Sequence, residues 1–282
     1  MIDFINDTLH DLLRNLSDLL LTTENQVPTF KTAVQIVYDL VQAIPIDMYM
    51  VEQDLTFLWL AIRANSIDFI QFFHKNYGKE PLFLPKNPLM SPFAAAIVNG
   101  NLFIINMLLE KYGIEIIKDH YEAINEALKS VLAEALTFNA EECINQSFQY
   151  NQIDRSRIDT FFNNILKVID KIANIPNVDL NIYSSNYTLL TYATFLGVTK
   201  FVEGLIKYES VDVNLCELTN GNSPLMIAIS NDDVELMKLF IECPRTDFRV
   251  QNYNNETAVI KAILNPNIPF ETIMKPLLSR ID

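Results

Sequence analysis

Only six glycines and three cysteines occur in 282 residues, and 21 basic side chains face 35 acidic ones. Each shortage closes a route. The glycines are widely spaced, so neither of the common phosphate-cradling loops is present, because both need glycines crowded where backbone approaches phosphate. Cys143, Cys216 and Cys243 are too few for a disulfide framework and form no CxxC pair. That pattern fits a reducing compartment in which cysteines act as small buried hydrophobes. The net charge of -14, with no run of Lys and Arg, repels phosphate backbones and anionic membrane surfaces, so no nucleic-acid partner is expected. Apolar runs such as Phe57 to Ile62 fall far short of the ~20 residues that span a bilayer, so no membrane span is expected. The start, Met1-Ile2-Asp3-Phe4-Ile5-Asn6-Asp7, lacks the basic residues and apolar stretch of a secretory signal.

Three histidines, His10, His74 and His120, leave little for imidazole chemistry. No HExxH helix and no GxSxG elbow exists, and no metal or cofactor is expected. Glu141-Glu142-Cys143, with His120 upstream, is the one grouping of thiol, imidazole and acid. Nucleophilic use of it requires contact between thiol and imidazole, which sequence does not display. A half-buried thiol among solvated acids is the simpler reading.

Half of the residues are hydrophobic, which is ample for a core and unlike a disordered chain. Their arrangement is repetitive. Thr56-Phe57-Leu58-Trp59-Leu60-Ala61, Ser91-Pro92-Phe93-Ala94-Ala95-Ala96, Thr188-Leu189-Leu190-Thr191-Tyr192-Ala193 and Ser223-Pro224-Leu225-Met226-Ile227-Ala228 align, and Thr257-Ala258-Val259-Ile260-Lys261-Ala262 is a weaker fifth copy. Ser91 follows Thr56 by 35 residues, Ser223 follows Thr188 by 35, and Thr257 follows Ser223 by 34. Such a period marks stacked helical units.

Each copy begins as a helix begins. Ser or Thr accepts from the unpaired N–H groups of the first turn, worth ~1 kcal/mol, and Pro92 and Pro224 take the position where a missing N–H costs nothing. The closing Ala suits close helix packing. Four residues later stand Asn65, Gly100, Gly197 and Asp232, which tolerate a sharp turn. Eight, nine and twelve residues after the Ala come Phe69, Ile70 and Phe73, then Ile104, Ile105 and Leu108, Phe201, Val202 and Leu205, and Leu236, Met237 and Phe240. Those offsets share one face of a second helix. Connectors built on Asp47, Asp179, Asp212 and Asp247 precede the next cap by 9 to 11 residues, through turn-prone stretches such as Ser184-Ser185-Asn186 and Thr219-Asn220-Gly221-Asn222.

These residues resemble the ankyrin repeat family, whose pattern of Thr-Pro-Leu-His, Ala, Gly and paired Leu they follow. The first histidine of that pattern is replaced throughout, by Trp59, Ala94, Thr191, Met226 and Ile260. The resemblance implies an all-α, ankyrin-type helical-repeat solenoid, here with an enlarged central repeat. Residues 1–48 read as an N-terminal helical capping unit, with helices about 3–21 and 29–43, because a solenoid must shield its first apolar face. Residues 49–118 read as two repeats, and 183–282 as two more with a degenerate C-terminal cap, since Pro266 takes the place of the turn glycine. Between them 119–182 reads as one enlarged repeat, with helices over 119–138 and 157–173 and a polar insertion over 139–157.

The resemblance also implies a protein partner, met at the connector tips and on the exposed side of the first helices, which together form a concave face. Carried over by position, the partner-binding candidates are Tyr183, Asn186 and Tyr187; Glu217, Leu218 and Asn220; and Tyr253 and Asn254, with Thr191 and Tyr192 on a first helix. Rigid amphipathic aromatics often anchor interfaces; packing between neighbouring connectors is the equal alternative for these tyrosines. No enzyme activity is expected, and the chain reads as a monomeric cytoplasmic adaptor. The alternative is an enzyme or a secreted effector with its site in the 119–157 insertion, acting in a host cytoplasm, since the Asn- and Ile-rich, Gly-poor composition resembles ankyrin proteins of protists and intracellular bacteria.

Overall fold

A computed structural model describes residues 11, 32, 34–39, 42, 57–76, 92–113, 121–145 and 155–280. The chain divides into two compact units, Met1–Ala127 with Ile175–Asn177, and Leu128–Asn174 with Val178–Asp282.

In the first unit, α1 (Phe57–Arg63) and α2 (Ile67–Asn76) form one antiparallel pair, and α3 (Pro92–Val98) and α4 (Leu102–Tyr112) another. Asn65 and Gly100 hold left-handed backbone, with φ of 54° and 61°, at the turns where small or amide residues were expected. Helices α1 and α3 pack side by side, and Leu60, Ala61, Ala94 and Ala96 on them are buried. Asn101 caps α4 by accepting from Ile104 N–H at 3.2 Å. Residues 34–39 are helical, with Val34 and Val37 buried and the Tyr38 ring 5.0 Å from Phe69. The predicted helix over 3–21 lies outside the described residues apart from residue 11.

The boundary between the units falls within α5 (Tyr121–Asn145). Ala123, Ala127, Val131 and Ala135 are buried on one face, as the spacing predicts. The helix is longer than the polarity of its C-terminal part suggests: Asn139 to Asn145 continue it rather than forming a loop. Ala140, Glu141 and Glu142 are helix formers, and polar residue types do not by themselves end a helix. The second long helix, α6 (Arg155–Ile172), buries Ile158, Phe162, Ile165, Val168, Ile169 and Ile172.

The second unit continues through a two-residue-strand hairpin, β1 (Tyr183–Ser184) and β2 (Tyr187–Thr188), and the pairs α7 (Leu189–Phe195) with α8 (Thr199–Leu205) and α9 (Pro224–Ser230) with α10 (Val234–Glu242). It ends with α11 (Ala258–Leu264), a π-helical turn Phe270–Met274, and α12 (Lys275–Leu278). The caps are those the sequence specifies. Thr188 accepts from Thr191 N–H at 3.1 Å, Ser223 from Met226 N–H at 3.4 Å, and Thr257 from Ile260 N–H at 3.3 Å. Gly197 and Asp232 turn the pairs at φ of 69° and 56°. In the last unit Asn265 and Pro266 replace that left-handed turn, and the second helix shrinks to the π turn and α12.

First helices stack on first helices, α7 on α9 and α9 on α11, and second helices on second, α6 on α8 and α8 on α10. Phe162 and Phe201 meet edge-on at 4.8 Å in the α6–α8 contact, where Gly204 leaves room for Leu166.

Three polar ladders cross the stack. Asn181 donates to Ser210 O (2.7 Å) and accepts from Asp212 N–H (2.8 Å); one repeat on, Asn214 donates to Arg245 O (2.8 Å) and accepts from Asp247 N–H (2.7 Å). At the turns, Asn231 donates to Phe195 O and Asn265 to Ile229 O, both at 3.0 Å. Asn99 repeats this in the first unit, donating to Ile62 O at 2.6 Å. Arg245 donates to Val211 O (2.6 Å) and Ile206 O, and Arg280, 35 residues later, to Ile241 O (2.6 Å) and Cys243 O (3.5 Å). Each guanidinium thus satisfies carbonyls left open where a second helix ends. Among the described residues no helix is long and apolar enough to cross a membrane.

Candidate protein-binding surface

The connector tips of the second unit are tied together by backbone. Leu218 N–H donates to Asn186 O at 2.8 Å, and Tyr253 N–H donates to Asn220 O at 3.0 Å, so the three tips form a row. The first tip is the β1–β2 hairpin, turned by Ser185 at φ 53°. The second is closed by Glu217, whose carboxylate accepts N–H groups of Thr219 (2.5 Å), Asn220 (3.0 Å) and Asn222 (3.0 Å). At 3% exposure Glu217 is a buried charge, tolerated because these donors replace water. The third tip is closed by Asn252, whose Oδ1 accepts from Asn254 N–H (3.0 Å) and Glu256 N–H (2.9 Å).

Behind the tips, the open sides of α7 and α9 carry no charged residue, and α11 carries one, Lys261, 3.7 Å from Glu256. Tips and first helices together enclose an open hollow of about 350 Å³. Its walls come from three consecutive repeats: Tyr187 and Phe195; Glu217, Asn220, Asn222, Ile227, Ser230 and Asn231; then Asn252, Asn254 and Lys261. The surface is therefore mainly carboxamide and aromatic, with one charge of each sign, Glu217 and Lys261, in a chain of net charge -14. Carboxamides both donate and accept, which suits hydrogen bonding to polypeptide backbone.

The predicted residues divide by where the fold places them. Asn220 and Asn254 are exposed and line the hollow, and half-buried Tyr187 joins them. Asn186, Leu218 and Tyr253 are exposed at the tips, Tyr253 at 64%. Tyr183 is half-buried, its hydroxyl donating to Cys216 O at 2.6 Å, and burial followed by the nearby Cys216 pushes its ionisation above the usual tyrosine value. Glu217 closes a tip and, though only 3% exposed, also lines the hollow. Thr191 and Tyr192 do not reach the surface, at 0% and 1% exposure. Thr191 stands where the family pattern has histidine, and its hydroxyl accepts from Thr188 N–H at 2.8 Å while Thr191 N–H donates to Thr188 Oγ1, a reciprocal cap made without imidazole.

The tyrosines pack as well as project. Tyr187 lies 5.4 Å from Tyr192 and 6.0 Å from Phe195, and Tyr253 covers Gly221, where an added Cβ would meet the ring at 2.7 Å. Phe195, 38% exposed, is the aromatic that position-by-position reading omitted. It follows Thr188 by seven residues, two helical turns on from the cap, and that spacing marks the open side of α7.

Burial, then Glu217 and Asp212, raises the Cys216 thiol above its ordinary value, which keeps it protonated and weakly reactive at neutral pH. His120 and the side chains of Glu141, Glu142 and Cys143 lie outside the described residues. Among the described residues no cluster of His, Cys, Asp or Glu suits a metal ion.

This stack of capped helix pairs, joined by hydrogen-bonded tips, defines a helical-repeat protein. The family model for ankyrin repeats in three copies matches residues 161–252 and 190–282. The matched span, 161–282, carries ankyrin repeats and lies almost wholly in the second unit. Among solved structures, it is similar to the ankyrin repeat domain of Bcl-3, a unique member of the IkappaB protein family, at 15% identity over 89% of this chain and 95% of that one, with a TM-score of 0.51. It is also similar to the human ASB11 ankyrin repeat domain, at 14% identity over 92% and 98% of the two chains, with a TM-score of 0.50. Identities this low speak of fold alone. No curated protein matches the sequence. Ankyrin repeats are general protein–protein interaction modules.

Proposed function

We propose that this chain is an adaptor that binds a partner protein through the tips and the open side of the first helices in the second unit. The observation that carries the reading is the hollow walled by three successive repeats, where Tyr187, Phe195, Asn220 and Asn254 present aromatic and carboxamide groups together. A scaffold does not by itself fix a partner; recognition resides in the residues grafted on it. Here those residues favour a polypeptide segment of low charge, held by hydrogen bonds to its backbone with an apolar side chain against Phe195. A site whose charged groups, Lys261 and Glu217, are already held by partners of the same chain suits such a segment, because few ions have to be newly desolvated on binding.

The test compares proteins captured from a cell lysate by the parent and by a variant carrying Phe195→Ala, Asn220→Ala and Asn254→Ala. None of the three side chains is fully buried, so the variant should keep the parent's helical circular dichroism and melting temperature. Loss of a captured protein by the folded variant supports the reading, and identical captures contradict it. Tyr183 is left unchanged, since removing its hydroxyl would release Cys216 O and confuse binding with folding.

A further inference from the structure

Two of the six glycines follow asparagine, at 100 and 221, and in both places another asparagine comes next, so the tripeptide Asn-Gly-Asn occurs twice. An asparagine before glycine is open to attack on its own side chain, because no Cβ on the following residue hinders the main-chain nitrogen as it approaches the carboxamide carbon. With the tripeptide identical, a difference in reactivity comes from the fold. In each copy the glycine N–H is engaged, Gly100 donating to Ile97 O at 2.9 Å and Gly221 to Glu217 O at 3.1 Å, so the attacking nitrogen is held alike. The two carboxamides differ. Half-buried Asn99 stands in the turn between α3 and α4, and both ends of its side chain are fixed: Nδ2 donates to Ile62 O at 2.6 Å, and Oδ1 accepts from Arg63 at 3.0 Å. Asn220 is exposed at the second connector tip, with its main-chain N–H on Glu217 and its carbonyl accepting from Tyr253 N–H. Its carboxamide lines the hollow and makes no hydrogen bond among the described residues.

We propose that Asn220 is a site of spontaneous deamidation in the folded chain, and that Asn99, in the same tripeptide, is protected by its side-chain hydrogen bonds. The Gly221 nitrogen forms a bond to Asn220 Cγ, the Cγ–Nδ2 bond breaks, and ammonia leaves carrying the proton of the glycine amide. Water, the co-reactant, then opens the five-membered imide at one carbonyl or the other. The products are aspartate and isoaspartate, the latter routing the main chain through Cβ and Cγ and so lengthening it by one carbon. At Asn99 the carboxamide must first leave both Ile62 O and Arg63, and breaking two hydrogen bonds slows the attack at least about tenfold. At Asn220 the side chain turns toward Gly221 without that cost, and only the hydrogen bond from Gly221 to Glu217 O has to give. Either product adds a negative charge to the wall of the hollow, beside Glu217. Isoaspartate also displaces the carbonyl that holds Tyr253 N–H and with it the row of tips. The reaction thus alters the surface through which partner binding is proposed.

Peptide mapping by mass spectrometry, after incubation of the full chain in heavy-oxygen water, tests this, since each opened imide takes up a labelled oxygen. One sample is kept folded, with circular dichroism as the check, and a second is denatured in guanidinium chloride. The expected result is conversion at Asn220 at least about tenfold faster than at Asn99 in the folded chain, and equal rates at the two positions in the denatured one. The rate at Asn220 should rise with pH, because the attacking nitrogen has to lose its proton. Equal rates in the folded chain, faster conversion at Asn99, or an Asn220 that stays intact while the denatured sample converts would each overturn the proposal. The readout involves no partner, so none of these outcomes bears on the binding reading.

Discussion

Single side chains do disproportionate service in the connectors. Glu217 alone replaces the water that three backbone N–H groups would otherwise bind. Glu217→Ala is expected to lower the unfolding free energy by about 1.5–3 kcal/mol, the range for hydrogen bonds to a charged partner, with Glu217→Gln recovering part of it; urea denaturation of the three proteins measures this. Tyr208 works in the opposite sense of charge. Burial, then its hydrogen bond to Asp170, raises its ionisation from the usual 10.0 to about 12. A phenol that keeps its proton longer when folded contributes stability fully below pH 10, and the contribution is lost as pH rises through the folded value, because the unfolded chain binds fewer protons there. Tyr208→Phe should therefore remove the late part of the tyrosinate absorbance titration and flatten the decline in stability between pH 10 and 12.

Helices and turns were the most legible elements, because their determinants are local. Ser and Thr at Thr188, Ser223 and Thr257 cap the helices they head, and Asn65, Gly100, Gly197 and Asp232 hold left-handed backbone as their spacing implied. The ladders of Asn181 and Asn214, of Asn99, Asn231 and Asn265, and of Arg245 and Arg280 were not read, though each recurs near the repeat period. Their partners are carbonyls some 29 to 39 residues away, which no window-based pattern registers. Polarity misjudged Asn139–Asn145 for the complementary reason, since polar residue types do not by themselves stop a helix. At the second tip Gly221 sits at φ 73° under the Tyr253 ring. Gly221→Ala should cost about 1–3 kcal/mol through left-handed strain and displacement of that ring, seen as a lower melting temperature and a changed tyrosine near-ultraviolet signal.

At the scale of the whole molecule, the repeat period pointed to the ankyrin repeats found over 161–282, whereas the proposed surface was legible only in part. Of the tip positions read in order, Asn220, Asn254 and Glu217 line the hollow, whereas the side chains of Thr191 and Tyr192 are buried. Sequence position gives a residue's place in a repeat; whether it faces outward depends on which neighbour covers it. Phe195 and Lys261 line the hollow for the same reason, being left uncovered rather than marked by type.

The measurement that bears most directly on partner binding is site-specific photo-crosslinking in a cell lysate, with the photoreactive residue at Tyr253 on a tip or at Glu235 on the exposed side of α10. The account expects a discrete crosslinked partner from position 253, lost when Phe195→Ala, Asn220→Ala and Asn254→Ala are added, and none from position 235. The same partner trapped equally from both positions, or from 253 regardless of the three substitutions, would contradict it.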